Sequence, residues 1–378
     1  MKVLIAGGGT GGHVFPGIAV AEELKHQRRN CEVVFVGTRG GLEAQAVPEA
    51  GFRIRYVVSA GFNRRRWWEW PWAALVNLFG LLQALWVVLA ESPQVVLGTG
   101  GYVSAPLSFA ARLLGRPLVL QEQNSIPGLA NRLLARIANE VHLSFLEART
   151  WFARKDNLKV TGNPVRAHIL SGDHETAMRE FALTPGRLTV FVFGGSLGAR
   201  RINEAAIEAL RRLKGRLEVQ FILQTGRPDY ERVLAAVQAE GLPATVMPFI
   251  KNMHLAYAAA DLVVCRSGAM TLAEIAVCGL PSVLVPYPFA AHNHQEVNAA
   301  NLVDRGAAVC ILDGELTGER LAKEIAHLLA DRQALSRMSA NARLFARPDA
   351  AERLARTLIR FAEGRPQTSE EAATGSGH

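Results

Sequence analysis

The chain has 378 residues, 49% of them hydrophobic and 20% charged, which excludes a disordered protein. Its 34 glycines and 17 prolines are ordinary totals, so collagen-like and low-complexity classes are excluded too. The length outgrows one hydrophobic core, and the net charge of +8 points to an anionic partner, either phosphate or a membrane surface.

From the N-terminus, short β-branched runs alternate with helical stretches. Strands are predicted at residues 2–6, 32–37, 53–58, 94–98, 117–121 and 140–144. Each is mostly apolar, as strands buried on both faces are. Only Val3 to Ala6 follow Lys2 before a glycine run, so no signal peptide is expected. The pattern pauses at Lys159-Val160-Thr161-Gly162-Asn163-Pro164, which is turn chemistry. It restarts with predicted strands at 188–193, 219–224, 245–249, 262–265, 282–285 and 307–311. The order implies an α/β protein of two parallel-sheet domains, residues 1–163 and 164–340. After about Ser336 the chain reads as one helix to about Glu363, and residues 364–378 read as a disordered tail. Cys31, Cys265, Cys278 and Cys310 form no CxxC pair and read as reduced, buried thiols.

Residues 62–90 stand out. Arg64, Arg65 and Arg66 precede Trp67, Trp68, Trp70 and Trp72, and residues 71–90 contain only Asn77 and Gln83 as strongly polar side chains. Twenty such residues could span a bilayer. The stretch lies between two strands of one predicted sheet, however, so a crossover helix with an exposed, tryptophan-rich start is expected instead. Arginines beside tryptophans suit the headgroup level of an anionic membrane. The plainer alternative is core packing with a solvated basic turn.

Three glycine-rich segments each lie between a strand and a helix: Gly7 to His13, Gly98 to Tyr102, and Gly194 to Gly198. Glycine permits positive φ and close backbone approach, and the following helix aims unpaired N–H groups at a ligand. Phosphate fits such a place. The bland alternative is a tight strand-to-helix turn that binds nothing. Gly7, Gly9 and Gly12 also match a dinucleotide fingerprint. The acidic residue expected after the second strand is missing, because Gly37-Thr38-Arg39 stands there. Arg39 suits a 2′-phosphate, so an NADP-dependent oxidoreductase is a rival reading. It leaves the loops of the second half unexplained.

Taken together, the motifs resemble one family. Gly8-Gly9-Thr10-Gly11-Gly12-His13-Val14-Phe15-Pro16-Gly17 is similar to the opening of the MurG peptidoglycan N-acetylglucosaminyltransferases. So are Gly100-Gly101-Tyr102-Val103-Ser104, Glu122-Gln123-Asn124, Gly162-Asn163-Pro164-Val165-Arg166, Gly194-Gly195-Ser196 and Arg266-Ser267-Gly268-Ala269-Met270-Thr271. The resemblance implies a GT-B fold, two Rossmann-like domains facing across a cleft. It implies inverting transfer of GlcNAc from UDP-GlcNAc to the C4 hydroxyl of MurNAc in undecaprenyl-pyrophosphoryl-MurNAc-pentapeptide, forming lipid II. It also suggests that a helix at 341–363 crosses back to the first domain.

Site residues follow from the same resemblance. Glu274 takes the ribose diol, a task suited to a carboxylate that accepts two hydroxyls. Ser196, expected at the start of a helix, takes the diphosphate. The Ile250 backbone meets the uracil edge, and Ala269, Met270 and Thr271 line the donor. Gln295 and Asn124 contact sugar, while His294 departs from a Gln pair found in some relatives. Thr10, Gly11 and Gly12 bind substrate, and Arg166 offers a guanidinium to phosphate. His13 is the candidate base, since imidazole exchanges a proton near neutral pH. Glu122 is the competing carboxylate. No Asp-x-Asp and no metal-spaced cluster occurs in the sequence, so neither a metal nor a cofactor is expected. The expected partners are UDP-GlcNAc, the lipid-linked acceptor and an anionic membrane surface reached through Arg64, Arg65, Arg66, Trp67, Trp68 and Trp72. That places the protein at the cytoplasmic face of a bacterial inner membrane. No nucleic-acid module is present, and a non-catalytic sensor of UDP-sugars is a further alternative.

Overall fold

The computed structural model describes residues 1–61, 68 and 70–365. Arg64, Arg65, Arg66 and Trp67, and all but the first two residues of the 364–378 tail, lie outside the described residues. The chain forms two compact units. One is Met1–Arg166 with the segment from Arg347 onward, and the other is Ala167–Ala346.

The first unit contains β1 (Lys2–Gly7), β2 (Glu32–Gly37), β3 (Arg53–Tyr56), β4 (Val95–Gly100), β5 (Leu118–Glu122), β6 (Glu140–Leu143) and β7 (Leu158–Val160). They pair in the order β3-β2-β1-β4-β5-β6-β7, every neighbour parallel. β7 was not expected. Three residues at the sheet edge, running straight into Thr161 and Gly162, carry no readable period. Alternate residues of β1 serve opposite cores. Leu4 and Ala6 join Val87, Val88 and Leu107 on one side. Val3 and Ile5 join Val14, Ile18, Leu354 and Leu358 on the other. The C-terminal helix Ala350–Ala362 thus closes the core beside helix Gly11–Gln27. Its Arg360 donates to Glu140 of β6 at 2.5 Å in a buried ion pair.

The single helix expected at 336–363 is two, Arg332–Phe345 and Ala350–Ala362. Pro348 supplies no N–H and disfavours helical backbone at Arg347, and Ala346 is already extended (ψ 148°).

The second unit contains β8 (Leu188–Phe193), β9 (Val219–Gln224), β10 (Ala244–Met247), β11 (Leu262–Cys265), β12 (Ser282–Leu284) and β13 (Ala308–Cys310). Their order is β10-β9-β8-β11-β12-β13, again all parallel. Val190, Val192, Phe221 and Val264 pack under helices Arg200–Leu213 and Gly318–Ala330. Both sheets reverse direction of growth beside their first strand, and ligands of such sheets bind at the strand C-termini at that point.

Helix Trp70–Glu91 joins β3 to β4. By length and composition alone it could cross a membrane. Its three strongly polar residues, Asn77, Gln83 and Glu91, tie it to the sheet side of the unit. Gln83 Oε1 accepts the Val58 N–H at 2.7 Å. Asn77 accepts the Ala60 N–H at 3.1 Å and donates to the Ala60 carbonyl at 2.9 Å. Glu91 closes the far end on Arg55 (2.7 Å) and Lys2 (3.0 Å). Ala84, Val87 and Val88 are buried. The other face leaves Trp72, Leu75, Leu78, Phe79, Leu82, Trp86 and Leu89 exposed at helical spacing.

Candidate functional site

In the first unit, two glycine segments meet at the C-terminal ends of β1 and β4. Their pairing slips at this point. Ala6 faces Gly98, but Gly7 faces Gly100, so Thr99 is an extra residue in β4. Such a bulge turns groups out of the ladder. Thr99 Oγ donates to the His13 carbonyl at 2.7 Å, and the Thr99 carbonyl receives His13 Nδ1 at 3.1 Å. Gly100 has φ +104°, and a Cβ there would come within 2.6 Å of the His13 ring. Only glycine lets the imidazole lie on this backbone.

Helix Gly11–Gln27 starts from an extended Thr10 and holds Gly11, Gly12 and His13 in its first turn. It has no acidic residue in that turn, so the negative charge that meets its start comes from elsewhere in the chain. The loop before it is already satisfied. Glu43, fully buried, accepts from the Gly9 N–H, the Thr38 N–H and Thr38 Oγ, each at 2.8 Å. Side chains at Gly8 or Gly41 would strike its carboxylate, and one at Gly37 its Cγ methylene. A carboxylate of the chain itself therefore occupies the place where a fingerprint loop would take a dinucleotide phosphate. This disfavours the NADP reading. Sequence reasoning missed Glu43, because it lies six residues past the strand end rather than on it.

Glu122, at the end of β5, is also buried. It accepts from Asn131 Nδ2 (2.8 Å), the Asn124 N–H (3.0 Å), the Gly128 N–H (3.3 Å) and Asn124 Nδ2 (3.4 Å). Burial raises its pKa, partly offset by these donors. The carboxylate spends its lone pairs on shaping the loop that carries Asn124. Arg166 lies over the Phe15 ring, 4.5 Å from its centre, a cation–π contact that fixes the guanidinium beside the helix bearing His13.

In the second unit, helix Ala269–Cys278 begins at Gly268, past the end of β11, so Ala269, Met270 and Thr271 form its first turn. Glu274 lies in the next turn, buried, and accepts from the Tyr257 hydroxyl at 2.8 Å. Burial and the adjacent Glu274 raise the Tyr257 pKa well above normal, so the phenol stays a donor. Each carboxylate oxygen has two lone pairs, so this bond sets the rotamer and leaves acceptor capacity. Tyr257 was not singled out in the sequence, where a tyrosine at helical spacing reads as core.

Ser196 lies in an exposed loop, not at a helix start, because helix Arg200–Leu213 begins four residues later. Gly195 (φ +93°) and Gly198 (φ +77°) prolong the loop. Ile250 is buried, and its N–H donates to Gln224 Oε1 at 2.8 Å. Gln224 Nε2 in turn donates to the Gly195 carbonyl at 3.2 Å. The end of β9 thus ties the glycine loop to Ile250, a link that sequence reasoning did not supply. Reading a base edge through the Ile250 N–H would require Gln224 to yield. Gln295 accepts the Tyr287 N–H at 2.9 Å, and its carbonyl accepts Ser267 Oγ at 2.8 Å. Just before it, His292 (φ 55°) and Asn293 (φ 54°) are both left-handed. Two adjacent strained non-glycine residues are a mark of functional loops. His294 Nδ1 contacts the Ala291 carbonyl at 2.8 Å, which makes it a local cap. Among the described residues no group of three or more His, Cys, Asp or Glu side chains could hold a metal ion.

The chain matches the glycosyltransferase family 28 N-terminal domain over residues 3–143 and the C-terminal domain of the same family over 189–354. It is 44% identical to the UDP-N-acetylglucosamine–N-acetylmuramyl-(pentapeptide) pyrophosphoryl-undecaprenol N-acetylglucosamine transferase of Moorella thermoacetica, over 96% of this chain and 100% of that protein. The protein of the same name from Chlorobaculum parvum is 45% identical, over 95% and 99%. Among solved structures, Acinetobacter baumannii MurG superposes with a TM-score of 0.75 at 32% identity, covering 95% of this chain and 99% of that one.

Proposed function

The chain belongs to glycosyltransferase family 28 and, within it, to the MurG N-acetylglucosaminyltransferases, and on that premise we propose which of its residues carry the reaction. It transfers N-acetylglucosamine from UDP-N-acetylglucosamine to the N-acetylmuramyl-(pentapeptide) pyrophosphoryl-undecaprenol acceptor, and its fold is GT-B. The first unit, 1–166 with the segment from 347, is the acceptor side, and 167–346 is the donor side.

One observation carries the donor assignment. The first unit's fingerprint loop is already closed by Glu43, whereas the second unit offers a buried, pre-oriented Glu274 beside a helix start. Glu274 accepts the ribose hydroxyls. The loop with Ser196, and the first turn with Ala269, Met270 and Thr271, receive the diphosphate. Ile250 faces the base through its backbone, and Gln295 faces the sugar. On the acceptor side, Thr10, Gly11, Gly12 and Asn124 hold the muramyl portion, and Arg166 offers charge to phosphate.

The acceptor C4 hydroxyl attacks C1 of GlcNAc, UDP leaves from the opposite face, and the configuration inverts. His13 accepts the hydroxyl proton. It is preferred over Glu122 because the Glu122 carboxylate already receives four internal hydrogen bonds. Charge on the departing diphosphate is met by N–H groups already in place, which costs no reorganisation. The exposed face of helix Trp70–Glu91 rests on the cytoplasmic surface of the inner membrane and brings the enzyme to its polyprenyl substrate.

UDP release with the lipid-linked acceptor tests this reading. Glu274→Ala should raise KM for UDP-GlcNAc by about 10- to 100-fold, the loss expected for hydrogen bonds to a charged group. His13→Ala should instead lower kcat, by about 100-fold or more. Wild-type kinetics in both variants would overturn the site. UDP-GlcNAc binding without UDP release in the wild type would favour a sensor.

A further inference from the structure

His13 is held by more than its own helix. Gln123, buried between β5 and the loop shaped by Glu122, places its Oε1 3.1 Å from His13 Nδ1. The orientation of that amide is determined by its surroundings. Gln123 Nε2 donates to the Thr99 carbonyl at 2.5 Å and also reaches Gln121 Oε1. A backbone carbonyl only accepts, so the NH₂ end of Gln123 must face Thr99 and its oxygen must face the imidazole. Gln121 is oriented in the same way. Its Nε2 donates to Asn163 Oδ1 at 2.9 Å and to Ser144 Oγ at 3.1 Å, and Asn163 Nδ2 donates to the Gln123 carbonyl at 3.2 Å. Three buried amides thus point one way along one chain.

His13 Nδ1 therefore meets two acceptors, the Thr99 carbonyl displaced by the β-bulge and the Gln123 amide oxygen. Neither can donate to it. The ring proton must sit on Nδ1, which places the lone pair on Nε2. We propose that Gln123 is a positioning residue for the transfer: with the Thr99 carbonyl it holds the His13 imidazole in the Nδ1–H tautomer, so that Nε2 is the basic nitrogen. The proposal rests on the reading of His13 as the base, and it concerns the orientation of that base.

The test uses the full chain with ¹⁵N-labelled histidine and long-range ¹H–¹⁵N correlation above the histidine pKa, with His13 assigned from the signals lost in His13→Gln. The wild type should show a protonated Nδ1 and a bare Nε2. Gln123→Met, nearly the same shape without the amide, should give mixed tautomers. It should also lower kcat about tenfold or more while KM for UDP-GlcNAc is unchanged. A wild-type Nε2–H tautomer overturns the proposal. So does a Gln123→Met enzyme with the wild-type imidazole spectrum and wild-type kcat. If Gln123→Met does not fold, a wild-type Nε2–H tautomer still overturns the proposal. An Nδ1–H tautomer together with full turnover in His13→Ala would refute the base while leaving the orientation intact, so the two failures are distinguishable.

Discussion

The apolar face of helix Trp70–Glu91 supports a quantitative expectation. Phe79 and Leu82 lie on it, each with 56% of its surface exposed, and neither is needed by the core. Full burial of a Phe or Leu side chain contributes about 1.5–3 kcal/mol. A membrane can recover only the exposed share, slightly over half of each residue. Replacing both by serine should therefore cost ~2–3 kcal/mol of membrane affinity, roughly a 30- to 150-fold fall in vesicle partitioning. Surface changes of this kind usually move stability by no more than about 0.5 kcal/mol each, so the fold should survive. The assay is sedimentation with vesicles containing anionic lipid, beside urea unfolding of both proteins. The apolar share of the binding should persist at high salt, where attraction between basic residues and headgroups is screened. Unchanged partitioning of the Phe79→Ser/Leu82→Ser protein, with its fold intact, would refute the membrane role of this face.

Two further expectations concern buried carboxylates. Glu43→Gln turns an amide NH₂ toward N–H donors that now find a carboxylate oxygen, so urea unfolding should show a loss of about 1–3 kcal/mol. Glu140 is raised by burial, but its contacts with His142 and Arg360 outweigh this and hold it below the ordinary 4.5. Its stabilising contribution is therefore complete above pH 4.5 and is lost as pH falls through the lowered folded value. Glu140→Gln should flatten the acid limb of stability against pH and cost about 3 kcal/mol at neutral pH by removing the carboxylate paired with the buried Arg360.

Alternation of apolar runs with helical stretches was enough to establish two parallel-sheet units, because strands buried on both faces must be apolar throughout. The glycine segments located the strand ends at which sheets of this kind take ligands, and motif order pointed to the chemistry. Asn77 and Gln83 were already visible as the polar interruptions of an apolar helix. That they hold residues 58–60 against it, and so select which face stays exposed, depends on where β3 ends. Tertiary structure alone brought Glu43 to Gly9, Tyr257 to Glu274, and Gln224 between Gly195 and Ile250. It also placed the β-bulge that aims the Thr99 carbonyl at His13. Local sequence sets backbone preference and which face is buried. The partner of a buried polar atom is whichever group the packed sheet carries to within hydrogen-bond distance, often dozens of residues away, and no local pattern records it.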